Sequence, residues 1–217
     1  ARALRARRRE AGTLELEVPE IKAWVDERGV PTAIVRRPHL ESHELVEEFM
    51  LLANRCVGAE GARRGAGLLY RVHEPPAPRK LEDLDRMLHA LGLPRPGNTA
   101  DPARALQALL RVPLDPDRRR LLHRLVLRSL ARARYLERDL GHFGLATGGY
   151  CHFTSPIRRY PDLHNHARVR EWIRGKPSAA WDPVALAARA ALTSASEQNA
   201  TEAEREAVAY FEAIASG

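Results

Sequence analysis

Residues 148–166 read GGYCHFTSPIRRYPDLHNH. Two glycines lead into an aromatic run, a Ser-Pro pair turns the chain, and two adjacent arginines stand before a segment that reads as a new helix. A helix starting near Arg159 to Asp162 would leave backbone N–H groups free at its N-terminus beside Arg158, a ready anion site whose natural occupant is phosphate. The same arginines would serve equally well to pair with Asp162, or with a carboxylate of a helix over 42–57, and so fix a buried loop. The residues alone leave these two readings even. His164 and His166 lie two apart on the expected helix and point away from each other, which argues against a joint metal site.

Upstream of this stretch the pattern is a β entry followed by helices. Residues 13–18, TLELEV, alternate Leu14, Leu16 and Val18 in the two-residue period of a half-buried strand. Ile21, Ala23 and Val25 repeat that period before DERG at 26–29, and PTAIVRR resumes it, so a hairpin is expected. Ser42 is placed to cap a helix running to about Val57, with Leu45, Phe49, Leu52 and Cys56 as its core face. A Gly- and Ala-rich loop over 58–67 and a short apolar run stopped by Pro75-Pro76 follow. Leu81, Leu84, Leu88 and Leu91 then recur at helical spacing up to Gly92 and Pro94. Further helices are expected over 103–111, over 118–135 with Leu121, Leu122, Leu125 and Leu130 buried, over 161–174 and over about 184–215, the last two joined by the turn GKPSAAWDP. The fold class is therefore α+β: strands and a hairpin in residues 1–40, then a mainly helical bundle over 41–217.

The chain has 217 residues, 44% hydrophobic, enough to bury a core. No apolar run approaches the length that crosses a bilayer, and the basic start ARALRARRRE has no apolar stretch behind it, so a cytoplasmic protein that does not engage membranes is expected. Two cysteines, Cys56 and Cys151, are expected as free thiols of a reducing compartment. With lysine only at Lys22, Lys80 and Lys176, 32 of the 35 basic residues are arginine, and the net charge is +7. Arginine's planar fork suits phosphate, which makes nucleic acid the first partner to consider, although a GC-rich coding sequence raises arginine content as well. There is no CxxC, no HExxH and no Walker loop, and no Ser-His-Asp order stands out.

GHFGLATGGYCHFTSPIRRYPDLHNH at 141–166 resembles the signature of the ribonuclease II and ribonuclease R family, the RNB-domain exoribonucleases. HELVEEFMLLAN at 43–54, LLYRVHEPP with LEDL between 68 and 84, and AERE at 203–206 agree in order and spacing, and the similarity extends from about residue 12 across nearly the whole chain. It implies a processive 3′-to-5′ exoribonuclease that hydrolyses single-stranded RNA to nucleoside 5′-monophosphates with Mg²⁺, acting as a monomer. By the resemblance, Arg158 grips the scissile phosphate and neutralises charge that develops during hydrolysis. Glu47 and Glu48 of VEEFM lie on the helix side left free by the expected core stripe, Glu47 being the one to touch the 3′-terminal nucleotide. Tyr150, Ser155 and Arg159 of the central motif are RNA-binding candidates with them, and Glu204 matches a position lining the end of the RNA channel. Arg159 is expected to be chiefly structural.

The chain also departs from the family. The aspartate cluster that holds Mg²⁺ lies, by the resemblance, upstream of the motifs present here, while Asp26, Asp83, Asp85, Asp115 and Asp117 stand in unrelated contexts. Leu16 occupies a place where many members carry a stacking aromatic, and the family's C-terminal OB-fold is expected to lie outside these residues. The expectation is thus the C-terminal portion of an RNB catalytic domain, inactive by itself and completed by the remainder of its own polypeptide. The alternatives are a catalytically inactive RNB homologue that only binds RNA and, favoured by charge alone, a basic helical protein that binds duplex DNA.

Overall fold

Arginines at positions 2, 5 and 8 share one side of a helix by their spacing, and in the computed structural model α1 (Arg2–Ala11) forms there. The structure describes residues 1–17, 21–27, 31–36, 38–97, 101–175 and 181–216. By its sequence, ARALRARRRE stands only as a basic terminus. Its order comes from α2 (Glu41–Arg64), where Glu41, Glu44 and Glu48 recur at matching pitch and pair with Arg2, Arg5 and Arg8 in turn.

Residues 13–17, expected as a strand, run without a sheet partner. Leu14 is buried in the main apolar cluster and Leu16 packs against it, which is the alternation visible in the sequence. Their backbone is satisfied one group at a time: Leu14 N–H donates to the Gly144 carbonyl at 2.9 Å and Glu17 N–H to His123 Nδ1 at 2.9 Å. Period two reports half-burial, and a strand needs a ladder as well. The hairpin forms as expected from β1 (Ile21–Val25) and β2 (Pro31–Arg36), antiparallel with Trp24 opposite Ala33. Val18, Arg37 and residues 28–30 of its turn lie outside the described residues.

α2 corrects three expectations. It starts at Glu41, so Ser42 sits inside the first turn, and the Leu40 N–H is met instead by His43 Nδ1 at 3.2 Å. It also continues to Arg64 through the segment read as a loop. The stripe taken as its core face points outward: Leu45 is 47% and Phe49 55% exposed, and Cys56 is exposed too. The side that packs inward carries Glu48, Asn54, Gly58 and Gly61. Gly58 is required there because the backbone at Gly149 passes against the helix, and Gly61 because the Leu68 side chain does.

The bundle behind it is made of α3 (Pro78–Ala90), α4 (Pro102–Leu110) and α5 (Pro116–Ser129). Leu84, Leu88, Leu106, Leu109, Leu122, Leu125 and Val126 form its core, each large side chain contributing about 1.5–3 kcal/mol of burial. Leu91 and Leu121, counted in the stripes by spacing, are exposed. Asp115 caps α5 by accepting from the N–H groups of Asp117 and Arg118. The helix stops at Ser129, short of the expected 135, because the chain turns extended at Leu130. Residues 134–136 instead form β4 (Arg134–Leu136), paired antiparallel with β3 (Tyr70–Val72). α6 (Tyr160–Ile173) and α7 (Pro183–Ser216) occupy the expected segments, with residues 176–180 between them outside the described set. α7 packs on β4, β2 and α6. Both cysteines are free.

Candidate nucleic-acid-binding cavity

The segment 149–155 is irregular in backbone, yet nearly every residue of it is tied to a neighbouring element. Arg71 N–H of β3 donates to the Tyr150 carbonyl at 2.9 Å. Asn54 of α2 accepts from Phe153 N–H through Oδ1 at 2.9 Å and donates through Nδ2 to the Tyr150 hydroxyl at 3.1 Å. Asn165 of α6 donates to the carbonyls of His152 and Leu69, and the His166 ring stacks on Phe153 with centroids 3.9 Å apart. The buried Asp162 carboxylate accepts from Ser155 N–H at 2.8 Å and from Arg159 Nη2 at 2.8 Å. Gly149 lies so close to α2 that a Cβ on it would come within 2.9 Å of Ala59 Cα, and its φ of +59° is one that glycine adopts freely.

The two arginines of the motif therefore separate. Arg159 is largely buried and paired with Asp162, the structural alternative left open by the residues. Arg158 is exposed and has no side-chain hydrogen bond or ion pair among the described residues. α6 begins at Tyr160, with Arg159 as its N-cap.

Between α2 and this strapped loop lies a cavity of about 450 Å³. α2 contributes His43, Glu47, Met50 and Asn54, spaced four, three and four apart on one stripe, and the loop contributes Tyr150, His152 and Arg159. A neighbouring cavity of about 850 Å³ shares His39, His43 and Glu47 with it and is bordered by Arg111 and Arg119. Burial, reinforced by the Arg159 and Arg71 guanidiniums, pushes His152 down to about 3, and burial with His73 nearby pushes His142 down to about 3. Both imidazoles are neutral at ordinary pH. Arg158 is not among the residues lining the cavity, although its charge also disfavours protonation of His152.

Glu47, Tyr150 and Arg159 are thus brought together. Ser155 lies at the turn, its carbonyl accepting from the N–H groups of Arg158 and Arg159. Glu204 is exposed on α7 and is not among the residues lining the cavity. Glu48 differs from the expectation of a carboxylate on the free side of α2: it is 3% exposed and gripped by Arg8. It faces inward because the stripe assignment of α2 is rotated. His43, Asn54 and His152 line the cavity without having been singled out, and the signal that could have found the first two is their common stripe with Glu47.

The cavity thus sets the Arg159 guanidinium, the Tyr150 phenol and the His152 imidazole of one element against the Glu47 carboxylate of another. In sequence, residues 1–175 match the model of the RNB domain, and the chain belongs to that family. It is 38% identical over 215 residues to Ribonuclease R of Aquifex aeolicus, covering 98% of this chain and 30% of that protein. It is 39% identical over 168 residues to Ribonuclease R of Thermotoga maritima, covering 77% of this chain and 24% of that one. The structure of Mycoplasma genitalium RNase R in complex with ribose-methylated single-stranded RNA superposes with a TM-score of 0.87 at 28% identity, over 97% of this chain and 34% of that one. The chain thus spans about a third or less of the length of these relatives.

Nucleases of the RNB family depend on metal ions. Among the described residues no group of three or more His, Cys, Asp or Glu side chains is placed to hold one, and Asp162 is engaged by Arg159 and Ser155. These described residues do not fit a metal site. Among the described residues no helix is long and apolar enough to cross a membrane.

Proposed function

We propose that the chain is the phosphate- and ribose-binding part of a 3′-to-5′ exoribonuclease that releases nucleoside 5′-monophosphates from single-stranded RNA in the cytoplasm, acting as a monomer. The observation that carries this reading is the convergence of two separated family motifs, VEEFM on α2 and SPIRRY on the strapped loop, on one cavity of nucleotide size. Arg158 is the cation for the scissile phosphate: unpaired and exposed, it is free to meet charge that grows during hydrolysis, while Arg159 and Asp162 hold the turn that presents it. Glu47, a hydrogen-bond acceptor on the opposite wall, takes a ribose 2′-hydroxyl, which DNA lacks. Tyr150 and Ser155 complete the loop side, and Glu204 lies farther along the RNA path. Mg²⁺ is held by carboxylates from the remainder of the polypeptide.

The test is release of mononucleotides from a labelled single-stranded RNA by the full-length protein with Mg²⁺, against this chain alone and against duplex DNA as competitor. Processive release by the full-length protein and none by this chain is expected. RNA binding without release by the full-length protein would establish the inactive homologue instead, and duplex DNA binding as tightly as single-stranded RNA would establish the DNA-binding reading.

A further inference from the structure

Tyr135 of β4 is buried, and its hydroxyl lies 2.8 Å from His152 Nδ1. Burial pushes this phenol up to about 12, so it keeps its proton. One of the two groups must donate. If Nδ1 did, the phenol hydrogen would be left without an acceptor inside the protein, since the hydroxyl has no other partner among the described residues. An unmade hydrogen bond on a buried donor is the costlier outcome. Tyr135 therefore donates, and the ring proton of His152 resides on Nε2. Arg71 fixes the phenol from behind: its guanidinium lies 4.7 Å over the Tyr135 ring and is paired with Glu197 of α7.

Nε2 occupies the opposite edge of an imidazole that lines the cavity, and it has no hydrogen bond among the described residues. Tyr150 is in a similar state. Because Phe153 N–H fixes Oδ1 of Asn54 as an acceptor, Nδ2 must donate to the Tyr150 oxygen, which leaves the Tyr150 hydrogen free to donate elsewhere. Two neutral donors thus stand on the wall that also carries Arg159, facing Glu47 across the cavity.

We propose that His152, held by Tyr135 as its Nε2–H tautomer, is a further binding residue of this cavity and donates, together with the Tyr150 hydroxyl, to a non-bridging phosphate oxygen of the nucleotide that enters it. The proposal rests on the reading of the cavity as a nucleotide site. Arg71 from β3, Arg158 and Arg159 from its own loop and His142 are the charged or titratable groups that oppose protonation of His152, so the donor stays neutral and its contribution does not change between about pH 5 and 8.

The test uses the full-length protein with adenosine 5′-monophosphate, adenosine and a short single-stranded oligoribonucleotide as calorimetric probes. His152→Phe should weaken the monophosphate and the oligonucleotide roughly tenfold or more, the effect of one hydrogen bond to a charged group, and leave adenosine unchanged. His152→Gln, which keeps an N–H donor, should restore most of the loss. Tyr135→Phe retains the ring under Arg71 and should convert the imidazole ¹⁵N signature of His152 from the single Nε2–H form to a mixture. Wild-type affinity for the monophosphate in His152→Phe, an equal loss for adenosine, or a wild-type spectrum with the proton on Nδ1 would each overturn the proposal while leaving the nuclease reading intact. Failure of the wild-type protein to bind either the monophosphate or the oligonucleotide would remove both.

Discussion

Substituting Gly58→Ala tests whether the loop of the cavity is held by the close approach of α2. In a helix interior alone the change should stabilise by about 1 kcal/mol, since alanine is the better helix former. Here the added Cβ would overlap the Gly149 carbonyl oxygen and lie 2.7 Å from its carbon and 3.0 Å from Cys151 N. These are backbone atoms, so no rotamer change relieves the clash, and either α2 or the loop must move by close to an ångström. Overpacking costs about 1–3 kcal/mol and occasionally more; a clash with backbone falls at the upper end, about 3 kcal/mol, so the net effect after the helix gain is a loss of about 2 kcal/mol. The displacement falls on the segment that carries Tyr150 and His152, and misplacement of about 1 Å at a reacting site costs on the order of a hundredfold in rate. Urea unfolding of the full-length protein gives the first quantity and single-turnover RNA hydrolysis the second, with Arg55→Ala, exposed on the same helix, as a control expected within about 0.5 kcal/mol of wild type. A Gly58→Ala protein as stable and as fast as wild type would refute the claim that this contact positions the loop.

The two arginines should respond in opposite ways: Arg158→Ala should lower single-turnover hydrolysis about a hundredfold with stability unchanged, whereas Arg159→Ala leaves the Asp162 carboxylate buried and unpaired and should cost about 3 kcal/mol in urea unfolding. Glu48→Ala should likewise destabilise by about 3 kcal/mol through the stranded Arg8, while Glu47→Ala should leave unfolding unchanged and abolish the preference for ribose over deoxyribose at the 3′ end, read by competition with matched oligonucleotides. For pH, His142 and His152 are both depressed to about 3 when folded, so between that value and the ordinary 6.5 the unfolded chain binds more protons. Stability is then full above about pH 7.5 and falls with acidification by about 2 kcal/mol per histidine at pH 5, a decline that His142→Phe should roughly halve in urea titrations.

Local signals served well where one segment decides its own structure. Leu84 with Leu88, and Leu122 with Leu125, recur on faces that do turn inward, and the hairpin follows from alternation on either side of its turn. α2 failed that logic because its inward face is chosen by a partner about a hundred residues away. The backbone at Gly149 and Cys151 leaves no room for a side chain at Gly58, the Leu68 side chain leaves none at Gly61, and Asn54 is tied to Tyr150 and Phe153, so the large apolar side chains at 45, 49 and 52 fall on the outward side. The same cause hid the buried state of Glu48 and the role of α1, since neither is apparent until Arg8 is seen against Glu48. At the site, Glu47 and Arg158 were legible only through motif resemblance, and the Arg159–Asp162 pair was one of two outcomes the spacing allowed. His152 carried no signal of its own, because its chemistry is set by the Tyr135 hydroxyl, a contact between strands and loops rather than a feature of either.

The packing of α7 on β2 sets a constraint on how the chain is made. β2 ends at Arg36 and α7 begins at Pro183, so roughly 150 residues separate two elements that finish packed together. At synthesis rates of about 5–20 residues per second, the hairpin leaves the ribosome on the order of ten to thirty seconds before the helix that covers it exists. During that interval its strand edges are open to pairing with other nascent chains. A translation pause placed late in this segment would lengthen that exposure.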